Sequence, residues 1–213
     1  QFIKEAAERH PAVRNFRDTL LDYADLRNDI VHKRAGDDVI AEPHPEVVQQ
    51  VRSIYDRLQD PPETDDLCTG TVATCQVQDE VGPTIRGMRE RDFSQLPVVD
   101  GDGEIIDLLT TDTVARWTAD YLDDDDGVYL LEGSQVEEVL PYREDGRDYH
   151  VLGRRQPLHE VVEQFSHYRN QGKFLDAVIV THTGGPASEP VGIFTWSDLP
   201  EIYERLGLSL SDQ

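Results

Sequence analysis

The sequence predicts an α+β fold in which a duplicated strand–helix–strand–strand–helix unit follows a small all-α module. Three observations carry this. Residues 94–113 and 176–199 repeat one pattern: an apolar run, a Gly-containing turn, a second apolar run, then a Thr that opens a helix. Residues 1–34 and 45–58 instead place their apolar side chains at helical spacing. Between these two regions, residues 59–66 (Gln-Asp-Pro-Pro-Glu-Thr-Asp-Asp) form a predicted linker, because Pro61-Pro62 cannot continue a helix. A repeated unit need not bury its apolar face alone.

The elements follow in order. Pro11 starts a run in which Val13, Phe16, Leu20, Leu21, Ile30 and Val31 recur at roughly helical spacing, and Arg34-Ala-Gly-Asp-Asp breaks it. Val39–Ala41 is at most a strand stub. Pro45 suits a first helical position, and Val47, Val48, Val51, Ile54, Tyr55 and Leu58 make the stripe of a second helix. The helical module is thus 1–60, with 61–66 as the linker proper. The first unit, 67–122, has a predicted strand over 72–77 and a helix marked by Val81, Ile85 and Met88. Strands 96–99 and 105–109 then pair across Asp100-Gly-Asp-Gly, and a helix begins at Val114. An acidic linker, 123–127, separates it from the second unit, 128–207. There, strands are predicted at 150–152, 177–180 and 191–194 and helices at 157–165 and 199–206, before a tail at 208–213.

Composition narrows the function classes. With 213 residues, 38% of them hydrophobic, a sizeable core is within reach. No apolar run approaches the roughly 18 residues a membrane span needs, and nothing resembles a secretory leader. Position 1 is Gln, so the native N-terminus is expected to lie upstream. Cys68 and Cys75 stand apart from any His/Cys cluster and are expected to be reduced thiols of a cytoplasmic protein, with no metal site. The net charge is −23. Residues 1–62 are near balance, with 9 Lys+Arg against 12 Asp+Glu, whereas the rest carries 11 against 31. So negative a surface repels phosphates, and RNA is admissible only through the N-terminal module. Three lysines against 17 arginines fit either a salt-loving source or a GC-rich genome. Ser-His-Asp order, P-loop, Rossmann glycines and CxxC are all missing, so no metabolic enzyme is evident.

A strand that ends in Thr-x-x-Asp at a helix start presents a hydroxyl, a carboxylate and free N–H groups together, which suits a ribose and a phosphate. Leu96-Pro-Val-Val-Asp and Gly192-Ile-Phe-Thr-Trp-Ser-Asp, within the repeat, resemble the cystathionine-β-synthase (CBS) domain family over residues 67–207. The resemblance implies two units packed sheet to sheet about a pseudo-twofold, with clefts for adenine nucleotides or S-adenosylmethionine. Nucleotide-binding members carry Gly-h-h-Thr-x-x-Asp, where h is apolar. The second unit matches with Gly192, Thr195 and Asp198. The first has Asp107 for the Gly and Thr113 for the final Asp, with an acid displaced to Asp112. One competent cleft is therefore expected, with Val151 and Ala177–Ile179 as base-stacking walls and Arg154 and Arg155 meeting phosphates. AMP, ADP, ATP or S-adenosylmethionine are the implied effectors, and no cofactor is required. The competing reading of Thr195 and Asp198 is an ordinary helix cap.

In the N-terminal module, Arg27-Asn28-x-x-x-His32 is similar to the Arg-x4–6-His motif of the HEPN helical family. That resemblance covers residues 12–60 and implies a metal-independent ribonuclease with a dimeric site. His32 would act on the ribose 2′-hydroxyl or leaving oxygen, Arg27 would steady the phosphate, and Asn28 would assist. Arg27 and His32 stand about 140° apart on a helix, so they do not share one face. Alternatively, Arg27 pairs with Asp25 or Asp29 and His32 caps the helix C-terminus. The leading expectation is a homodimeric regulatory protein whose CBS pair senses an adenine nucleotide or adenosine derivative and controls the helical module or a partner. A CBS-gated ribonuclease and a ligand-free dimerisation module are the alternatives.

Overall fold

The computed structural model describes residues 2–32, 42–68, 70–120 and 133–208, without the side chains of Pro11 and His32. The expected strand stub at 39–41 and the acidic linker at 123–127 lie outside the described residues. The chain forms two compact units, Gln1–Pro62 with Tyr203–Gln213, and Glu63–Ile202.

The first unit is helical, as the periodicity predicts: α1 (Phe2–Arg9), α2 (Pro11–Asn15), α3 (Arg17–His32) and α4 (Pro45–Gln59). Pro11 and Pro45 each open a helix, where a missing N–H costs nothing. Glu46 in the first turn of α4 and Arg57 in its last both favour the helix dipole. The Tyr23 hydroxyl on α3 donates to Gln50 Oε1 on α4 at 2.5 Å. Of the α4 stripe, Ile54 is buried, while Val48, Val51 and Tyr55 are exposed.

The second unit contains the repeat. Its elements are β1 (Cys75–Gln76), α5 (Val81–Arg91), β2 (Gln95–Val99), β3 (Ile105–Thr110), α6 (Thr111–Ala119), α7 (Val136–Val139), β4 (Arg147–Gly153), α8 (His159–Asn170), β5 (Phe174–Thr181), β6 (Pro190–Phe194) and α9 (Leu199–Leu206), whose last turns pass into the first unit. The sheets β1-β2-β3 and β4-β5-β6 share one topology: the first pair parallel, across a helical crossover, and the second antiparallel. The β2–β3 turn is tied by Asp100, whose Oδ1 accepts from the amides of Asp102 and Glu104 at 2.9 Å each.

The two sheets meet face to face. Val99, Ile105 and Leu108 of the first pack with Ala177 and Ile179 of the second, and Tyr149, Val151 and Ile193 close the layer. The opposite face of the first sheet buries Leu96, Val98 and Leu109 with Val81 and Met88 of α5, Trp117 of α6, and Val136 and Val139 of α7. Every residue of β5 except Phe174 is buried, because both faces of that strand are covered.

Two expectations need correction. The strand predicted over 72–77 is confined to Cys75–Gln76, because Asp79 Oδ2 captures the Gln76 amide at 2.8 Å and turns the chain, while residues 71–74 stay outside the ladder. The 61–66 stretch is a linker only in part. Glu63 bridges to Pro157, Thr64 Oγ1 donates to the Gly153 carbonyl at 2.9 Å, and the Thr64 and Asp65 amides donate to the carbonyls of Gln156 and Arg154. With Thr64 fully buried, these bonds strap the start of the first half onto the end of β4. Among the described residues, no helix is long and apolar enough to cross a membrane.

Ile179→Ala should lose about 2–5 kcal/mol of stability, because it opens a cavity in the sheet-to-sheet layer. Urea denaturation would read this as a lower midpoint at unchanged slope. A loss below about 1 kcal/mol would mean that the layer is not the spine of the unit.

Candidate functional site

The sheet packing brings the end of β6 opposite the start of β2. A cleft of about 380 Å³ opens there, within the second unit. Three stretches line it: Leu67, Cys68 and Gly70 to Ala73 before β1, Asp92 to Pro97 into β2, and Val191 to Ile193 with Thr195, Ser197 and Asp198 from β6 into the turn before α9. Its size falls in the range of roughly 300–1,000 Å³ usual for small-molecule pockets.

Gly192, Thr195 and Asp198 all line this cleft, as the motif implies. Gly192 is required sterically, because a methyl group there would collide with the Cys68 Sγ. Asp198 Oδ2 accepts from the Thr195 amide at 2.6 Å and from Thr195 Oγ1 at 2.9 Å, and Thr195 Oγ1 also lies 2.6 Å from Ser197 Oγ. The helix-cap reading is therefore fulfilled by one carboxylate oxygen, while Asp198 remains a cleft residue. The turn is anchored by Trp196, whose indole N–H donates to the Leu175 carbonyl at 3.0 Å and whose ring packs on Phe165.

The other expected site residues lie elsewhere. Ala177 and Ile179 are wholly buried in the sheet-to-sheet layer and Val151 packs against it, so none of the three walls the cleft. Its apolar surface comes instead from Val72, Phe93, Leu96, Val191 and Ile193. Arg154 and Arg155 do not line it either. Arg154 grips Asp65 with Nη2 at 2.6 Å and Nε at 3.0 Å, and its Nη1 meets His182 Nδ1 at 3.2 Å. A guanidinium held in both prongs has little left for a ligand. Arg155 is exposed. In the first unit, Arg27 and Asn28 are exposed neighbours joined by a 3.1 Å bond from Arg27 Nη1 to Asn28 Oδ1, and the His32 side chain lies outside the described residues.

Sequence reasoning missed Thr71, Phe93, Ser94 and Ser197. The repeat offered the needed signal, since the start of β2 in one half must face the Thr-x-x-Asp turn of the other. Among the described residues, no Lys or Arg lines it, but the carboxylates of Asp92 and Asp198 do. Cys68 also lines it. Burial, reinforced by the nearby Asp65 charge and opposed by Arg154, pushes its thiol up to about 11. It is therefore a neutral wall group at physiological pH, not a nucleophile. Cys75, deeper in the core, is pushed up to about 12 by burial, with Asp79 adding to the effect, and both cysteines are free. Among the described residues, no group of three or more His, Cys, Asp or Glu is placed to hold a metal ion.

The motif's counterpart in the first half differs in chemistry. Thr113, at the position of Asp198, is buried, and its hydroxyl shares a 2.9 Å hydrogen bond with Thr110. Asp107, at the position of Gly192, accepts through Oδ1 from Arg143 Nη1 at 2.7 Å and from the Leu108 amide at 2.8 Å.

Residues 65–120 match the family model described as CBS domain. No curated protein matches the chain. Among solved structures, a CBS domain-containing protein of unknown function from Kribbella flavida is 18% identical, with 67% of this chain and 98% of that chain covered and a TM-score of 0.53. The CBS domain of a CBS domain-containing membrane protein from Sphaerobacter thermophilus is 19% identical, with 74% of this chain and 97% of that chain covered and a TM-score of 0.51. Taken with the repeated βαββα topology and the face-to-face sheets, these likenesses make the fold of the second unit that of a CBS-domain pair.

Proposed function

We propose that the chain is a regulatory sensor whose CBS-domain pair holds an adenosine-type nucleoside in the cleft at Gly192, Thr195 and Asp198. The chemistry of the lining carries this reading. Hydroxyls of Thr71, Ser94, Thr195 and Ser197 and the carboxylate of Asp198 surround a cleft that has apolar walls and, among the described residues, no cationic side chain. A ribose diol donates well to a carboxylate, and the faces of a purine suit Phe93, Val191 and Ile193. A triphosphate would meet Asp92 and Asp198 with no Lys or Arg to offset them. Among AMP, ADP, ATP and S-adenosylmethionine, the last suits the lining best, as does an uncharged adenosine derivative.

Adenosine and S-adenosylmethionine should raise the melting temperature by linkage, ATP should raise it least, and calorimetry should give about one site per chain. Asp198→Asn, which keeps an oxygen for the cap, should weaken binding roughly tenfold or more, since a hydrogen bond to a charged group contributes about 1.5–3 kcal/mol. Thr113→Ala should leave the response intact. Strongest stabilisation by ATP, or normal binding by Asp198→Asn, would overturn the reading.

We further propose that the protein is a homodimer, a reading supported by the exposed apolar stripe of Val48, Val51 and Tyr55 on α4. A monomer mass in light scattering at micromolar concentration would exclude it.

A second reading attaches to α3, where the exposed Arg27 guanidinium is tethered by Asn28 as a phosphate-steadying group would be. If the helical module is a HEPN-like ribonuclease, Arg27→Ala and His32→Ala should each abolish RNA cleavage, with no metal requirement. Equal background cleavage by the wild type and both variants would assign the pair a structural role.

A further inference from the structure

The two hairpins align through their registers. Val98 pairs with Asp107 in β2–β3, and Val180 pairs with Gly192 in β5–β6. By this alignment, Asp92 and Ser94 of the open cleft correspond to Phe174 and Asp176, and Gly192 and Ser197 correspond to Asp107 and Asp112. The chain entering β1, where Gly70 and Thr71 line the open cleft, corresponds to the start of β4, where Arg147 sits.

These corresponding positions are bridged to one another. Arg147 Nη1 donates to Asp176 Oδ1 at 2.7 Å, Nη2 meets Asp112 Oδ2 at 2.9 Å, and Nε donates to Glu144 Oε2 at 3.0 Å. The guanidinium carbon lies 4.6 Å from the centre of the Phe174 ring. Arg116 braces Glu144 at 2.6 Å, and Arg143 holds Asp107 at 2.7 Å. Three small or uncharged positions of the open cleft (Ser94, Gly192 and Ser197) are thus carboxylates here, and one guanidinium touches the strand start and the helix start that a ligand would touch. A planar fork with three carboxylates around it and an aromatic face beneath is the setting a guanidinium fills best.

We propose that the pseudo-equivalent cleft is a guanidinium site whose resident ligand is the chain's own Arg147, and that this side chain fills the position that matches the open cleft. The inference stands on the register and the contacts of Arg147, independently of what the open cleft binds.

The test is to remove the tether and supply the group. Arg147→Ala should lower the melting temperature by roughly 10 °C, since removing one partner of a buried ion pair is costly. Methylguanidinium at millimolar concentration should restore part of that loss saturably. It should do so in the variant but not in the wild type or in Arg155→Ala, and methylammonium should do less. A pH series adds a readout that lost packing would not move. Asp176 is already raised from its ordinary value by burial, with Asp112 adding and Arg147 and Arg143 opposing. An acid raised in the folded state stabilises less as pH rises, so without Arg147 the variant should recover relative to the wild type as pH falls from neutrality. Glu144, held low chiefly by Arg147 and then by Arg116, shifts the comparison in the same direction. If Arg147→Ala does not fold, Arg147→Met keeps the stem and carries the same test. A folded variant indifferent to methylguanidinium, or a response equal to the wild type's, would overturn the proposal.

Discussion

The apolar layer between the two sheets is the constraint on which the rest of the CBS pair depends. Val99, Ile105, Leu108, Ala177 and Ile179 are buried there, and covering both faces of β5 leaves that strand no freedom of register. Once the layer is set, the end of each hairpin lies opposite the strand start of the other half. A cleft at that junction is a consequence of the topology rather than a separate invention. The strap at Glu63–Asp65 then closes the pair from outside the repeat, by bonding to the chain at the end of β4.

This layer also explains which site residues the sequence made legible. Gly192 owes its place to a close approach by Cys68, distant in sequence, and was readable only through the family motif, whereas Thr195 and Asp198 could be placed in the cleft wall from the sequence because a helix start and a cap within four residues are local. The repeat, both hairpins and most helices were readable for the same reason, since each is carried by short-range periodicity and turn chemistry. Ala177 and Ile179 were misassigned because an apolar strand residue looks the same whether its neighbour is a ligand or another sheet. Phe93, Ser94 and Thr71 were missed because the packing of one half on the other, which the repeat implies but no local pattern carries, makes them walls. The linker at 61–66 was legible only in part: the boundary between the two units falls within it. Its Pro-Pro and acidic composition described local backbone correctly, but not the carbonyls waiting for it 89 residues on.

Charge is distributed with the same economy. The second unit is strongly acidic, and four of its nine arginines are tied to carboxylates. Arg116, Arg143, Arg147 and Arg154 each hold a carboxylate within 3.0 Å. Two of the carboxylates so held, Asp107 and Asp176, are largely buried, where an uncompensated charge is costly. Among the described residues, none of these four arginines, nor any other Lys or Arg, lines the open cleft.

The difference between the two clefts arises from few substitutions, and one aromatic joins them. Trp196 lies between Thr195 and Ser197, both in the wall of the open cleft, and its ring stacks on Phe174 at 5.7 Å. Phe174 in turn carries the Arg147 guanidinium. The Thr195–Asp198 turn is held by bonds of 2.6–3.0 Å, among them the indole N–H to the Leu175 carbonyl. A continuous line of contacts therefore runs from the wall of the open cleft through Trp196 and Phe174 to Arg147, and from there to the carboxylates of Asp112 and Asp176. In a close-packed interior such a line couples the strain of one end to the other.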